Sequence, residues 1–242
     1  MPLINRLSQL ESTLRVKSPI VLSNCRVFFD FDNTMTTSDV LDDVIKRFSI
    51  NDQWMVLEKA WQEEKIGTKE CLAGQLKNVR LTKSALHKFL KNVELDPHFH
   101  QLLSFLVREG IKPVILSDNF NYIIEWILKN QGIGDLKVYG NTLRFYKDRI
   151  IPAFPYDNPF CLNCAHCKKI HLTKDKTEKK VIVFVGDGRS DFCPARVSDV
   201  VFAKDKLLSF MVKERLPHIP YKNLGDIHHY FQELLIHGPK TR

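Results

Sequence analysis

The stretch VFFDFDNTMTTSD, residues 27–39, carries an apolar block straight into two carboxylates separated by one residue, with a hydroxyl two positions further on. If the apolar block is a strand, alternation of its side chains brings Asp30 and Asp32 out on the same side at the carboxyl end. That end is where open α/β sheets hold their ligands. At an effective dielectric of 20 and a separation of ~4 Å, two such carboxylates repel by about 4 kcal/mol. More acid follows another apolar run, where VGDGRSD contributes Asp187 and Asp191. Acids converging without a histidine among them require a hard cation, and oxygen ligands of this kind suit Mg²⁺, which commonly shares its shell with a substrate phosphate.

Two further run ends supply what a phosphate needs. VILSDNF offers the Ser117 hydroxyl, Asp118 beside it, and backbone amides entering a helix, an arrangement suited to anions. CAHCKKI offers Lys168 or Lys169 as a cation for charge spread over phosphoryl oxygens. Each piece also has a plainer reading: DxDxT and SD can cap the helices that follow them, GDG can be a turn, and a single lysine can be surface. The conjunction separates the readings, because all four pieces directly follow apolar, β-rich runs in an order one crevice can accommodate.

The elements that must position these residues are legible as short apolar runs at 25–31, 113–116, 181–185 and 200–203. Their lack of alternation implies strands covered on both faces, and helical stretches between them imply βαβ units and a parallel sheet. Asp96 as cap, Pro97 at the first position and Gly110 as stop bracket one helix, and residues 121–132 form another. Between them and the first strand, residues 40–95 offer only helical signals, with Val40, Leu41, Val44, Ile45 and Phe48 on one stripe and Thr68 and Thr82 as N-caps. Residues 136–154 read as an antiparallel excursion. The expectation is an α/β fold with a small helical insert.

A chain of 242 residues can bury a full core, and 44% hydrophobic with 26% charged residues is ordinary globular composition, which argues against disorder. No apolar run is long enough to span a bilayer, and residues 1–15 lack the apolar centre and cleavage site of a secretory signal. The chain therefore reads as soluble and cytoplasmic, with reduced thiols. The net charge of +8 favours anionic partners. The densest basic stretch, residues 168–180, is interrupted by acids and lacks interleaved aromatics, so it reads as a solvated face and not as a nucleic-acid surface.

Taken together, DFDNT at Asp30, LSDN at Ser117, CK at Lys168 and GDGRSD at Asp187 resemble the four motifs of the haloacid dehalogenase-like phosphatases, over residues 25–204. The insert is similar to the cap of the phosphoserine phosphatase branch. Within that branch, SDNFNYIIEWIL, the Cys-rich loop ending in CK, and GDGRSDFCPA look most like the phosphoethanolamine/phosphocholine phosphatases and the methionine-salvage phosphatase. The resemblance implies a Rossmann-like parallel-sheet core, residues 1–36 and 96–242, with a helical cap, residues 37–95, inserted after the first strand. It also implies a phosphomonoester hydrolase for a small phosphorylated metabolite. Asp30 would be the nucleophile and Asp32 the general acid and base. Asp30, the Asp32 backbone carbonyl and Asp187 would hold Mg²⁺, with Asp191 orienting its water or Lys168. Ser117, Thr34 and Asp118 would contact the phosphate or substrate. Lys168 is preferred over Lys169 because the family's lysine directly follows the last cysteine. Asn33 stands where glycine is common in the family, and asparagine also tolerates left-handed backbone.

Asp39 has two open readings, an acid near a substrate amine or a helix N-cap. Trp54 and Trp61 could line the substrate pocket or pack the cap, and their helical spacing favours packing. Cys161, Cys164 and Cys167, with His166 and His171 nearby, could bind zinc or could form a tight loop that aims Lys168. His228, His229 and His237 are placed on a surface helix without a role. Rival readings are a phosphotransferase with the same covalent intermediate and a non-catalytic anion- or nucleic-acid-binding module. Carboxylates in the crevice would repel a nucleic-acid backbone.

Overall fold

The computed structural model describes residues 21–158, 160, 164–175 and 180–237. In chain order, strand β1 (Cys25–Phe29) is followed by four helices, α1 (Val40–Phe48), α2 (Gln53–Gln62), α3 (Thr68–Lys77) and α4 (Lys83–Leu90). Then come α5 (Phe99–Arg108), β2 (Val114–Phe120), α6 (Asn121–Asn130), β3 (Lys137–Tyr146), β4 (Arg149–Ala153) and α7 (Lys169–Asp175). The chain ends with β5 (Val181–Gly186), α8 (Phe192–Val197), β6 (Val200–Ala203), α9 (Asp205–Lys213), β7 (Ile219–Pro220) and α10 (Leu224–His237). The seven strands belong to one mostly parallel sheet, the α/β architecture expected from the apolar runs.

Two compact units divide the chain. The first comprises Met1–Asp30, Asp96–Val114 and Lys169–Arg242. Its strands run β1, β5, β6, β7 in space, and all three neighbouring pairs are parallel. Val27, Phe28 and Phe29 are buried, as are Ile182 to Val185, so no face of these strands meets water and no polar alternation is needed. Each fully buried Val, Leu, Ile or Phe contributes roughly 1.5–3 kcal/mol relative to exposure. The ladder register pairs Phe29 with Val185, and the Asp30 N–H donates to the Val185 carbonyl as β1 ends. The strand is thus two residues shorter than the apolar run suggests.

Asp96 is buried but does not hold the N-cap position of α5 that the sequence suggests; His98 does. Asp96 Oδ1 accepts from the His98 N–H (2.9 Å), and its Oδ2 accepts from the Leu224 N–H (3.0 Å), the first residue of α10. One carboxylate therefore ties the starts of α5 and α10, and α5 opens at Phe99, two residues past the sequence-predicted position. Gly110 closes the helix at φ +75°, a backbone region that costs glycine little.

The second unit comprises Phe31–Leu95 and Ile115–Lys168. Here β4, β3 and β2 are successive neighbours, and β3 and β4 form the expected antiparallel hairpin, with Thr142 opposite Ala153 and Tyr146 opposite Arg149. The helices α1 to α4 leave and rejoin through a short pairing: Thr36 bridges Leu95, and the Thr37 N–H donates to the Glu94 carbonyl. Helix α1 buries Val40, Leu41, Val44 and Ile45, while Phe48 stays half-buried edge-on to Phe89. Thr82 caps α4 by accepting from the Ala85 N–H. Thr68 is no cap; it lies inside α3, and its hydroxyl accepts from the Trp61 indole. Trp54 and Trp61 are half-buried, and α2 buries none of its residues fully.

His228 corrects the surface assignment: it is buried on α10 with its ring edge-on to Phe105, whereas His229 is exposed. Burial foremost, then the charges of Arg108, His229 and His98, lower the His228 pKa below 6.5. The unfolded chain therefore binds a proton that the folded chain refuses. Stability is fully present above pH 6.5 and falls as the pH drops toward the folded value. His228→Leu should make the decline of Tm between pH 7 and pH 5 shallower than in the wild type, as measured by thermal denaturation across that range.

Candidate active site

In the first unit, three carboxylates meet at adjacent strand ends. Asp30 directly follows β1, Asp187 directly follows β5, and Asp191 ends the short 3-10 turn Arg189–Asp191. All three are buried, and each offers an oxygen within 4.8 Å of the others'. At an effective dielectric of 20, each pair at that distance repels by roughly 3–4 kcal/mol if ionised. Asp191 is fastened by its surroundings, because Oδ2 accepts from the Asp187 and Gly188 N–H groups, both at 3.0 Å. Gly186 makes the approach possible: a Cβ there would lie 2.6 Å from the Asp191 carboxyl carbon and 3.0 Å from the Phe184 ring. The donor set is entirely hard oxygen, so these residues fit Mg²⁺.

In the second unit, the turn after β1 places the other acid. The Thr34, Met35 and Thr36 N–H groups all donate to the Phe31 carbonyl, and Asn33 takes φ +55°, the left-handed backbone that asparagine tolerates. Thr34 is fully buried in this turn. Asp32 is gripped from two sides. Its Oδ1 accepts from the Val40 N–H at the start of α1 (2.9 Å), and both carboxylate oxygens accept from Asn119 Nδ2 (3.1 and 3.0 Å). Asn119, buried at the end of β2, also donates its backbone N–H to Ser117 Oγ at 3.0 Å. Asn119 thus couples Asp32 to Ser117, a role that sequence reasoning missed although the residue stands inside the SDN motif. The strand β2 continues four residues beyond the predicted run, so the motif is extended backbone.

Lys168 is 1% exposed, which corrects its place in the solvated basic stretch. It ends a loop in which Cys164, Ala165, His166 and Cys167 are all buried. The Cys167 N–H donates to the Tyr156 carbonyl (2.9 Å), and the Lys168 N–H donates to the His166 carbonyl (2.9 Å). Asp118 faces this loop, its carboxylate accepting from the His166 N–H at 2.7 Å. Lys169 opens α7 and is exposed. Cys164 and Cys167 are buried and outside any disulfide, and Cys161 lies outside the described residues.

Asp39 is the N-cap of α1, its Oδ1 accepting from the Asp42 N–H at 2.9 Å. Burial, then the neighbouring Asp42 and Asp43, push its carboxyl up to about 6. The folded state therefore binds a proton more readily than the unfolded state, and the stability this contributes is full below pH 3.8 and lost as pH rises through about 6.

The family model described as Putative Phosphatase matches residues 25–218. A 2-hydroxy-3-keto-5-methylthiopentenyl-1-phosphate phosphatase of Brevibacillus brevis is 24% identical, covering 86% of this chain and 95% of its own. Among solved structures, a HAD-family hydrolase of Salmonella enterica serovar Typhi superimposes with a TM-score of 0.67 at 17% identity, covering 88% of this chain and 70% of that one. A phospho-aspartyl intermediate analogue of phosphoserine phosphatase gives 0.65 at 17%, covering 89% of this chain and 99% of its own. At these identities the structural likeness establishes the fold.

Two outcomes follow from the geometry. Gly186→Ala should cost about 1–3 kcal/mol in urea denaturation, because Asp191 must move. Gly188→Ala, whose Cβ would lie 3.9 Å from the same carboxylate, should cost clearly less. Asp39→Asn keeps the capping oxygen and loses the titration, so its Tm advantage over the wild type should grow from pH 4 to pH 7.

Proposed function

The chain belongs to the Putative Phosphatase family, and from that premise we propose that it is a Mg²⁺-dependent phosphomonoester hydrolase of the haloacid dehalogenase type acting through an aspartyl-phosphate. The observation that carries this reading is the buried trio Asp30, Asp187 and Asp191, a set of hard oxygen donors held together against their own repulsion.

In this reading Asp30 attacks phosphorus and the ester oxygen departs, which divides one hard displacement into two easier ones. Asp32 protonates the departing oxygen, then takes a proton from the water that hydrolyses the aspartyl-phosphate. Two observations support Asp32 in this role. Only Phe31 separates it from Asp30, which limits their Cα atoms to about 7 Å, and Asn119 aims its carboxylate. Ser117, Thr34 and Lys168 bind the phosphoryl oxygens, Lys168 offsetting the charge on them. Asp118 acts from beside the phosphate, its carboxylate anchoring the Lys168 loop. Asp30, the Asp32 carbonyl and Asp187, with help from Asp191, would hold Mg²⁺, which when bound would neutralise charge on the phosphoryl group.

We take residues 37–95 as the cap that selects substrate and excludes water, supported by the pairing of Thr36 with Leu95 at its base. Residues 1–36 and 96–242 are then the catalytic core. The relatives' activity points to 2-hydroxy-3-keto-5-methylthiopentenyl-1-phosphate or a small phosphomonoester like it. Cytoplasmic location suits such a metabolite, and among the described residues no helix is long and apolar enough to cross a membrane.

The test is phosphate release from a panel of small phosphomonoesters that includes this substrate, with Mg²⁺ and with chelator. Activity should vanish on chelation and return with Mg²⁺. Asp30→Asn should lose at least about 10³-fold in kcat, and Asp32→Asn about 10²–10⁴-fold. Full activity in Asp30→Asn would remove the mechanism.

A further inference from the structure

The loop that carries Lys168 touches the end of β2 through one side chain that the mechanism above does not use. His166 is fully buried. Its backbone N–H donates to the Asp118 carboxylate at 2.7 Å, and its ring Nδ1 lies 2.9 Å from the Ser117 carbonyl. A carbonyl can only accept, which assigns the ring hydrogen to Nδ1. Tyr156 stacks on the ring at 4.8 Å with 26° between planes, and the Tyr156 carbonyl accepts the Cys167 N–H. The Lys168 N–H then donates to the His166 carbonyl. On the strand side, Asn141 Nδ2 donates to the Asp118 carbonyl at 2.6 Å, so the partner of the latch is itself held.

We infer that His166 is a positioning residue for phosphoryl transfer: its ring and backbone clip the Lys168 loop to Ser117 and Asp118, setting the distance between the serine and the lysine that bind one phosphoryl group. The inference rests on the proposed roles of Ser117 and Lys168. Its physical basis is the bond directions. Two charge-bearing or polar anchors on successive β2 residues are satisfied by one histidine, and the lysine is only two residues beyond it along a backbone that is hydrogen-bonded at Cys167 and Lys168. A lysine on a long flexible stem, buried and used as a point charge, depends on such a fixed base. Asparagine can place an amide N–H near the position of imidazole Nδ1, whereas phenylalanine keeps the stacking on Tyr156 and loses the donor.

The experiment compares wild type, His166→Phe and His166→Asn in steady-state hydrolysis of p-nitrophenyl phosphate, with circular dichroism to confirm folding and ¹⁵N NMR of the wild-type imidazole. His166→Phe should lower kcat by about 10²-fold with a much smaller change in KM, the scale of a displacement near 1 Å. His166→Asn should recover at least ~tenfold of that loss, and the NMR spectrum should show the Nδ1–H tautomer. Unchanged kcat in folded His166→Phe, or no recovery in folded His166→Asn, would overturn the positioning role. A dominant Nε2–H tautomer would overturn the latch itself. If the wild type releases no phosphate from this ester or from the wider panel, the functional reading fails while the tautomer still decides the latch.

Discussion

Carboxylates repel one another, and three of them stand with oxygens inside 4.8 Å in a buried corner of the first unit. Much of the local architecture answers to that constraint. The parallel register of β1 and β5, with Phe29 beside Val185, ends β1 one residue short of β5, so Asp30 and Asp187 leave their strands near each other. Asp191 is held by two backbone N–H groups, which stabilise its negative charge as charge-assisted bonds do. Gly186 leaves out a side chain where a Cβ would collide with that carboxylate. A fold that accepts this cost for three acids presents a set of hard oxygen donors of the kind that suits a divalent cation.

The second unit handles its polar groups by the same means. Asp32, Asn119, Ser117, Asp118, Asn141 and His166 are joined by short hydrogen bonds at the end of β2, several of them with no exposure to water. Buried polar groups carry a heavy penalty when unpaired, so a connected network of this kind is rigid where it is satisfied. Rigidity at the base of Lys168 and behind Asp32 is what the roles proposed for them require. The exposed apolar side chains of α2, Met55 and Val56, belong instead to the helical insert, the part of the chain to which substrate choice is assigned.

Much of this was legible beforehand because it depends on neighbours in sequence. Apolar runs without alternation announce strands covered on both faces, and a helix start was one of the two readings Asp39 offered. The acids at 30, 32, 187 and 191 drew notice because like charge beside a buried strand is costly in any fold. The contacts of Asn119 and His166 were not legible, and His166 read only as a zinc candidate, because their partners are distant: 87 residues separate Asn119 from Asp32, and 48 separate His166 from Asp118. No local pattern marks such a bond. His228 misled for a related reason, since the helical pattern of α10 does not say that Phe105 will cover one of two adjacent histidines.

Sequence alone therefore determined the strands, the helical character of residues 40–90 and which acids stand at strand ends, since short-range sterics, hydrophobic periodicity and like-charge repulsion act within a few residues. Tertiary structure decided the rest: that β1 stops at Phe29, that Asp96 bonds both His98 and Leu224, that Lys168 is buried while Lys169 is not, and which amides hold each carboxylate. Those outcomes hang on hydrogen bonds closed across long loops, whose partners are chosen only when the packed chain brings donor and acceptor within 3 Å or so of each other.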